Sequence, residues 1–159
     1  MNTNNELRRE LLGFIERPNT HQSLQEVLEN FPEKLINEKP SGVPYTFWRL
    51  LEHIRITQYD MIDFMTNPNY KEMEWPKDYW PADGEKATVK MWNEAIANFQ
   101  KDMEKMKKII GDPSVDLLAP IAHGEGQTIF REVLQVIDHN GYHIGQLVVM
   151  MRALGAWKS

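Results

Sequence analysis

Cysteine is absent from this chain of 159 residues. Its absence excludes a disulfide framework, a zinc ribbon, an iron–sulfur cluster and a cysteine nucleophile. Any metal ion must therefore bind to His, Asp or Glu side chains, and any sulfur chemistry needs a thiol from outside the chain. The five histidines are the first residues to examine for a site.

The chain also lacks an excess of basic residues and any long apolar run. The net charge of −5 lacks the basic footprint of a protein that binds the phosphates of nucleic acids. The longest uncharged stretch near the C-terminus, residues 139–151, is only 13 residues long and contains two histidines, so it is too short and too polar to span a bilayer. The first five residues lack the pattern of a signal peptide. We expect a cytoplasmic protein without a membrane or nucleic-acid partner.

Apolar residues recur at intervals of three and four in four regions, which predicts an all-α protein. A chain of this length is expected to form one domain, residues 1–159. The first region breaks near residues 17–20, where Pro18 stops one helix and Thr20 can cap the next, and Asp83 can cap the third helix. The predicted helical regions are residues 5–37, 45–66, 84–110 and 128–154.

Four long amphipathic elements favour a four-helix bundle. Its connections at residues 67–83 and 112–127 are longer than antiparallel neighbours need, and such loops can wall a site at one end of a bundle. Aromatic residues in the first connection either wall a pocket, contact a second subunit or pack onto their own bundle. They are Tyr70, Trp75, Tyr79 and Trp80.

His139 and His143 are four residues apart in the last predicted helix, so their rings project from one face, as a divalent cation requires of two ligands from one element. At about 100° per residue from Val133 they fall at about 240° and 280°, on the shoulder of the buried face. His53 lies at about 240° from Phe47 in the second helix, on a similar shoulder. Three imidazoles around one ion leave a coordination position open. The spacing is equally compatible with core-edge histidines bonded to backbone carbonyls, or with solvated ones.

Three segments carry a resemblance to a known family. D-H-N-G-Y-H-I-G-Q-L at residues 138–147, R-A-L-G-A-W at 152–157 and W-R-L-L-E-H-I at 48–54 resemble the signature of the DinB-like superfamily, and the order of elements agrees over nearly the whole chain. Members include thiol-dependent transferases, such as bacillithiol S-transferases, and the related mycothiol-dependent maleylpyruvate isomerase. The resemblance implies a four-helix bundle, commonly a homodimer, with a divalent metal ion bound by three histidines. By position these are His53, His139 and His143.

A divalent ion with three neutral ligands keeps its full charge, which favours deprotonation of a thiol or a water molecule in the open position. We therefore predict a metal-dependent transferase that uses a low-molecular-weight thiol, or a hydrolase, acting on a small-molecule substrate. The metal is expected to be zinc, nickel or an iron-type ion, because imidazole accepts all three. The alternative is a non-catalytic, metal-stabilised dimeric binding or stress-response module, which a fourth protein ligand would favour.

No protein base stands out in the sequence. Glu132, Glu125 and His123 are near enough along the chain to be candidates, although such residues are ordinarily exposed. Asn140 stands where the zinc-protease pattern His-Glu-x-x-His needs its general base, so peptide hydrolysis by that route is disfavoured. Gly141 stands where the family pattern leads us to expect a small residue such as alanine, and a glycine there favours close approach of a neighbouring helix or ligand.

Overall fold

The computed structural model describes residues 3–16 and 20–157, and within these ranges the chain forms helices and no strand. This confirms the predicted all-α class. A short 3-10 turn covers Glu33–Leu35, and an isolated antiparallel bridge joins Pro120 to Thr128. None of the helices in the described part of the chain is long and apolar enough to cross a membrane. The helices are α1 (Thr3–Glu16), α2 (Leu24–Leu28), α3 (Phe47–Thr66), α4 (Val89–Gly111) and α5 (Ile129–Ala153).

Each long helix from α3 onward begins after a threonine whose side-chain oxygen accepts a backbone N–H of the first turn. These caps are Thr46, Thr88 and Thr128. The prediction that Asp83 caps a helix starting at Gly84 is wrong. Gly84 has a φ of +79°, which no right-handed helix accommodates, and Asp83 forms an ion pair with Arg49 instead.

The second half of the first predicted region is also shorter than predicted. Ser23, rather than Thr20, caps α2, and it forms a capping box in which Ser23 and Glu26 each bond to the other's backbone N–H. Pro32 cannot donate a backbone hydrogen bond, so the chain continues as the 3-10 turn rather than as a helix to Asn37. The break predicted at residues 17–19 lies outside the described residues.

The helices pack around two adjacent apolar clusters, with α3 against both α4 and α5, α1 against α4, and α2 against α5. The first cluster joins the first halves of α3 and α4 to the second half of α5, and the second joins the remaining halves to α1. Helix α3 is therefore parallel to α4 and antiparallel to α5. Because parallel neighbours start at the same end of the bundle, the connection between α3 and α4 must return along its length, which accounts for its size.

A buried polar pair lies between the two apolar clusters. The amide nitrogen Nε2 of Gln58 on α3 donates to the carbonyl oxygen of Phe99 on α4 at 2.9 Å. The side-chain nitrogen Nδ2 of Asn140 on α5 donates to Oε1 of Gln58 at 2.8 Å. Gln58 is fully buried and Asn140 is 7% exposed, so these hydrogen bonds join three helices inside the protein.

Candidate metal centre

Three histidines from two helices converge on one point. The Nε2 atom of His53 on α3 lies 3.2 Å from Nε2 of His143 and 3.2 Å from Nε2 of His139, both on α5. One ligand atom from each ring can be chosen so that all three lie within 4.8 Å of one another. The structure thus brings together the three residues that the spacing and the resemblance singled out.

Burial keeps these rings in the neutral form that binds metal ions. His53 is 2% exposed and His143 8%, while His139 is half-buried. Burial is the main cause that lowers the pKa of His53 to about 4 and that of His139 to about 3, and it also lowers the pKa of His143. Neutral rings at neutral pH leave a lone pair on one nitrogen of each.

In two of the three rings, a hydrogen-bond acceptor fixes the proton on Nδ1. Nδ1 of His53 lies 2.9 Å from the carbonyl oxygen of Tyr79, which can only accept, so this nitrogen carries the proton. Nδ1 of His143 lies 2.7 Å from Oε1 of Gln146 and donates in the same way. In both rings the lone pair is therefore on Nε2, and such outer acceptors are typical partners of metal-binding histidines.

The donor set fits a divalent cation. Two unprotonated Nε2 atoms at 3.2 Å repel each other unless a positive charge lies between them. Zinc–nitrogen bonds of about 2.0–2.1 Å in a tetrahedral arrangement separate the nitrogens by about 3.3 Å, close to the observed separations. Among the described residues the candidate ligand group contains three histidines and no carboxylate. The residues present are thus suited to holding one ion and leaving a coordination position for another molecule.

The connection between α3 and α4 covers the histidines with aromatic residues. The indole of Trp80 stacks on the ring of His53, with centroids 3.7 Å apart and planes within 6°. The same indole lines a surface cavity of about 420 Å³ that also includes Arg49 and Lys77. Trp75 is 67% exposed, and its ring centroid lies 6.3 Å from that of His53. Two of the four aromatic residues of this connection therefore contact or border the site.

The other two aromatic residues bind a carboxylate on α3. The hydroxyl groups of Tyr70 and Tyr79 donate to the two oxygens of Asp60, at 3.0 and 2.6 Å. These contacts hold the connection against its own bundle, and thereby place the Tyr79 carbonyl on His53.

The candidate bases of the sequence are not part of the ligand group. His123 is exposed, and its Nε2 lies 2.7 Å from the carbonyl oxygen of Phe64, while Glu125 is exposed. Glu132 is buried and pairs with Arg131 at 2.8 Å, and burial is the main cause that raises its pKa. The three-histidine group contains none of these residues. At Gly141 the close neighbour is His21, whose Nε2 would lie 3.4 Å from an added Cβ atom.

The sequence does not predict two polar residues of the site, nor the contacts by which the connection meets the histidines. Gln146 follows His143 by three residues on α5, and Thr57 follows His53 by four on α3, so helical spacing could have found both. The backbone carbonyl of Tyr79 and the stacking of Trp80 belong to an irregular connection, and no periodic signal in the sequence points to them.

One comparison with known proteins finds a match for this chain. The family model described as the DinB superfamily matches residues 19–147, a range that includes all three histidines and most of the helical bundle. Neither the curated proteins nor the solved structures include a match to the chain. Members of the superfamily bind divalent metal ions, and the three-histidine cluster is compatible with such a site. By the match over most of its length, the chain belongs to the DinB superfamily.

Proposed function

We propose that the protein is a divalent-metal-dependent transferase that joins a small external thiol to an electrophilic substrate, with His53, His139 and His143 as the metal ligands. The observation that carries the proposal is the convergence of three Nε2 atoms, two of them freed for coordination by hydrogen bonds at Nδ1. A bound divalent ion with one open position supplies Lewis acidity that favours deprotonation of a thiol there.

Aromatic side chains support a small-molecule substrate. Trp75 is 67% exposed near His53, and Tyr142 is 66% exposed with its ring 4.9 Å from that of His143. The two side chains border the cluster from different elements, the connection and α5. Exposed apolar surface beside a polar cluster is typical of a ligand-binding surface.

The lack of a carboxylate in the ligand group of the described residues favours thiol transfer over hydrolysis. The candidate base Glu132 pairs with Arg131, and Asp60 accepts hydrogen bonds from the hydroxyl groups of Tyr70 and Tyr79. Hydrolysis profits from a base that moves protons between water and the leaving group. A thiolate is itself the nucleophile and needs less assistance of this kind.

The proposed transfer is a simple substitution. The sulfur of the thiol forms a bond to the electrophilic carbon, the leaving group departs with the bonding electrons, and the thiol proton is released to solvent. Because the chain has no cysteine, the sulfur comes entirely from the external thiol. The ligand group of three histidines among the described residues argues against the non-catalytic alternative, since a purely structural ion ordinarily has four protein ligands.

Metal analysis of the purified protein tests the ligand set. We expect one zinc, nickel or iron-type ion per chain in the wild type and its loss in the three variants His53→Ala, His139→Ala and His143→Ala. His123→Ala is the matched control and should keep the metal, because His123 bonds to a backbone carbonyl away from the cluster. Undiminished metal content in all three cluster variants would contradict the proposal.

A transfer assay tests the reaction. Metal-loaded protein is mixed with a panel of low-molecular-weight thiols and monochlorobimane, which fluoresces when a thiol displaces its chloride. We expect a rate above the uncatalysed reaction for at least one thiol, abolished by His53→Ala and retained by His123→Ala. Equal rates for the wild type and His53→Ala would refute the transferase role, even if metal binding is found.

A further inference from the structure

Two buried polar atoms next to the cluster lack partners. Among the described residues, Nδ1 of His139 and Oδ1 of Asn140 are buried side-chain atoms without a hydrogen-bond partner. His139 is also the one histidine of the cluster whose Nδ1 has no acceptor, since His53 bonds to Tyr79 and His143 to Gln146. A buried polar group without a partner destabilises the folded protein, and here two such groups, one able to donate and one able to accept, lie on consecutive residues.

The hydrogen bonds inside the bundle determine which way the Asn140 amide faces. The carbonyl oxygen of Phe99 can only accept, so Gln58 must present its amide nitrogen to it and its oxygen Oε1 to Asn140. Asn140 must then donate to that oxygen with Nδ2, which leaves Oδ1 as the free atom. The orientation follows from the chain of donors and acceptors rather than from a choice between similar atoms.

Oδ1 of Asn140 lacks a donor, whereas the ring of His139 lacks an acceptor. Its Nε2 faces Nε2 of His53 at 3.2 Å, so in a metal-loaded protein Nε2 carries the lone pair and Nδ1 carries the proton. This Nδ1–H needs an acceptor, and Oδ1 of the next residue is an acceptor that needs a donor.

We propose that Asn140 is a positioning residue for the metal centre, whose Oδ1 accepts the Nδ1–H of His139 and fixes this ring as an Nε2 ligand. The inference rests on the proposed metal site. It completes a set in which each histidine has its own acceptor, and it connects His139 through Asn140 and Gln58 to the backbone of α4.

Zinc affinity, measured by competition with a chromophoric chelator, separates this role from simple packing. Asn140→Ala removes the acceptor and should weaken zinc binding about 10- to 100-fold. Asn140→Asp keeps an acceptor oxygen for His139 but loses the amide N–H that donates to Oε1 of Gln58. We therefore expect its zinc affinity to be close to that of the wild type. A purely structural role predicts the reverse, with Asp at least as damaging as Ala.

A spectroscopic readout and a matched control complete the test. In zinc-loaded protein labelled with ¹⁵N-histidine, the Nδ1 proton of His139 should give a slowly exchanging signal in the wild type and Asn140→Asp, and lose it in Asn140→Ala. Asn37→Ala removes a different amide, which bonds to the backbone of Ala87, and should leave zinc affinity unchanged.

These measurements distinguish an error in the role of Asn140 from an error in the proposed metal site. Wild-type affinity and an unchanged Nδ1 signal in Asn140→Ala, or equal loss in the Ala and Asp variants, would overturn the role of Asn140 while leaving the metal site in place. A wild-type protein that binds neither zinc, nickel nor iron would overturn the proposed function and this inference together. Circular dichroism of each variant confirms that the helices are intact before affinities are compared.

Discussion

At the scale of single residues, the position of one proton on each imidazole decides whether the three histidines can share an ion. A ring with its proton on Nδ1 offers Nε2 to a metal, and a ring with the opposite tautomer does not. Helical spacing predicts which rings lie near one another, but the tautomer depends on the acceptor at the far side of each ring. For His53 that acceptor is a backbone carbonyl 26 residues away in the chain.

Gln146 provides the simplest test of this dependence. Its Oε1 accepts from Nδ1 of His143 at 2.7 Å, and the residue lies outside the ligand group. Gln146→Leu removes the acceptor and should lower zinc affinity about 10- to 100-fold, whereas Gln146→Glu keeps an acceptor and should bind zinc at least as tightly as the wild type. Chelator competition measures both, and an unaffected Gln146→Leu variant would show that His143 needs no outer partner.

At the scale of elements, α5 carries the site on one face and glycines on others. Gly145 lies inside the helix and is exposed, with nothing within 4 Å of an added Cβ atom. Gly155 follows the helix with a φ of +65°, the left-handed conformation that ends many helices. A side chain therefore fits at position 145, whereas the backbone conformation at position 155 favours glycine.

Alanine substitutions at these glycines should change stability in opposite directions. Gly145→Ala reduces the flexibility of the unfolded chain and should stabilise the protein by about 0.5–1 kcal/mol. Gly155→Ala forces an L-residue into the left-handed region and should destabilise it by about 1–2 kcal/mol. Urea denaturation measures both free energies of unfolding. Loss of stability in Gly145→Ala would mean that another molecule or an unrecognised contact occupies the space beside this face.

The boundaries of the elements mark where sequence reasoning succeeded and where it did not. The last helix was predicted almost correctly because its apolar period is continuous and Thr128 precedes it directly. The predicted start of α4 is too early because Asp83 is as good a local cap as Thr88, and the positive φ of Gly84, which prevents a helix from starting there, is visible only in the structure. Several residues can thus cap a helix on local grounds, and the tertiary structure determines which of them does.

At the scale of the whole molecule, the site depends on the mutual arrangement of helices that the sequence does not encode locally. His53 comes from α3 and the other two ligands from α5, and the antiparallel packing of these helices brings positions 53 and 143 together. Periodicity predicts the candidate surface on each of the two helices, but it does not predict that the two surfaces meet. The resemblance to a family implies that these surfaces meet around one metal ion. The stacking of Trp80 on His53 and the hydrogen bond between Asn140 and Gln58 are visible only in the three-dimensional structure.

An ion held between α3 and α5 should stabilise the entire bundle, because the unfolded chain has no comparable site. At a free zinc concentration of 100 times Kd, binding adds about 2.7 kcal/mol to the free energy of unfolding. For a protein of this size we expect Tm to rise by about 5–10 °C, with reversal by EDTA. Calorimetry of the stripped protein with and without zinc measures the shift, and His53→Ala serves as the matched variant that should not respond. An equal shift in that variant would assign the stabilisation to zinc binding elsewhere on the chain.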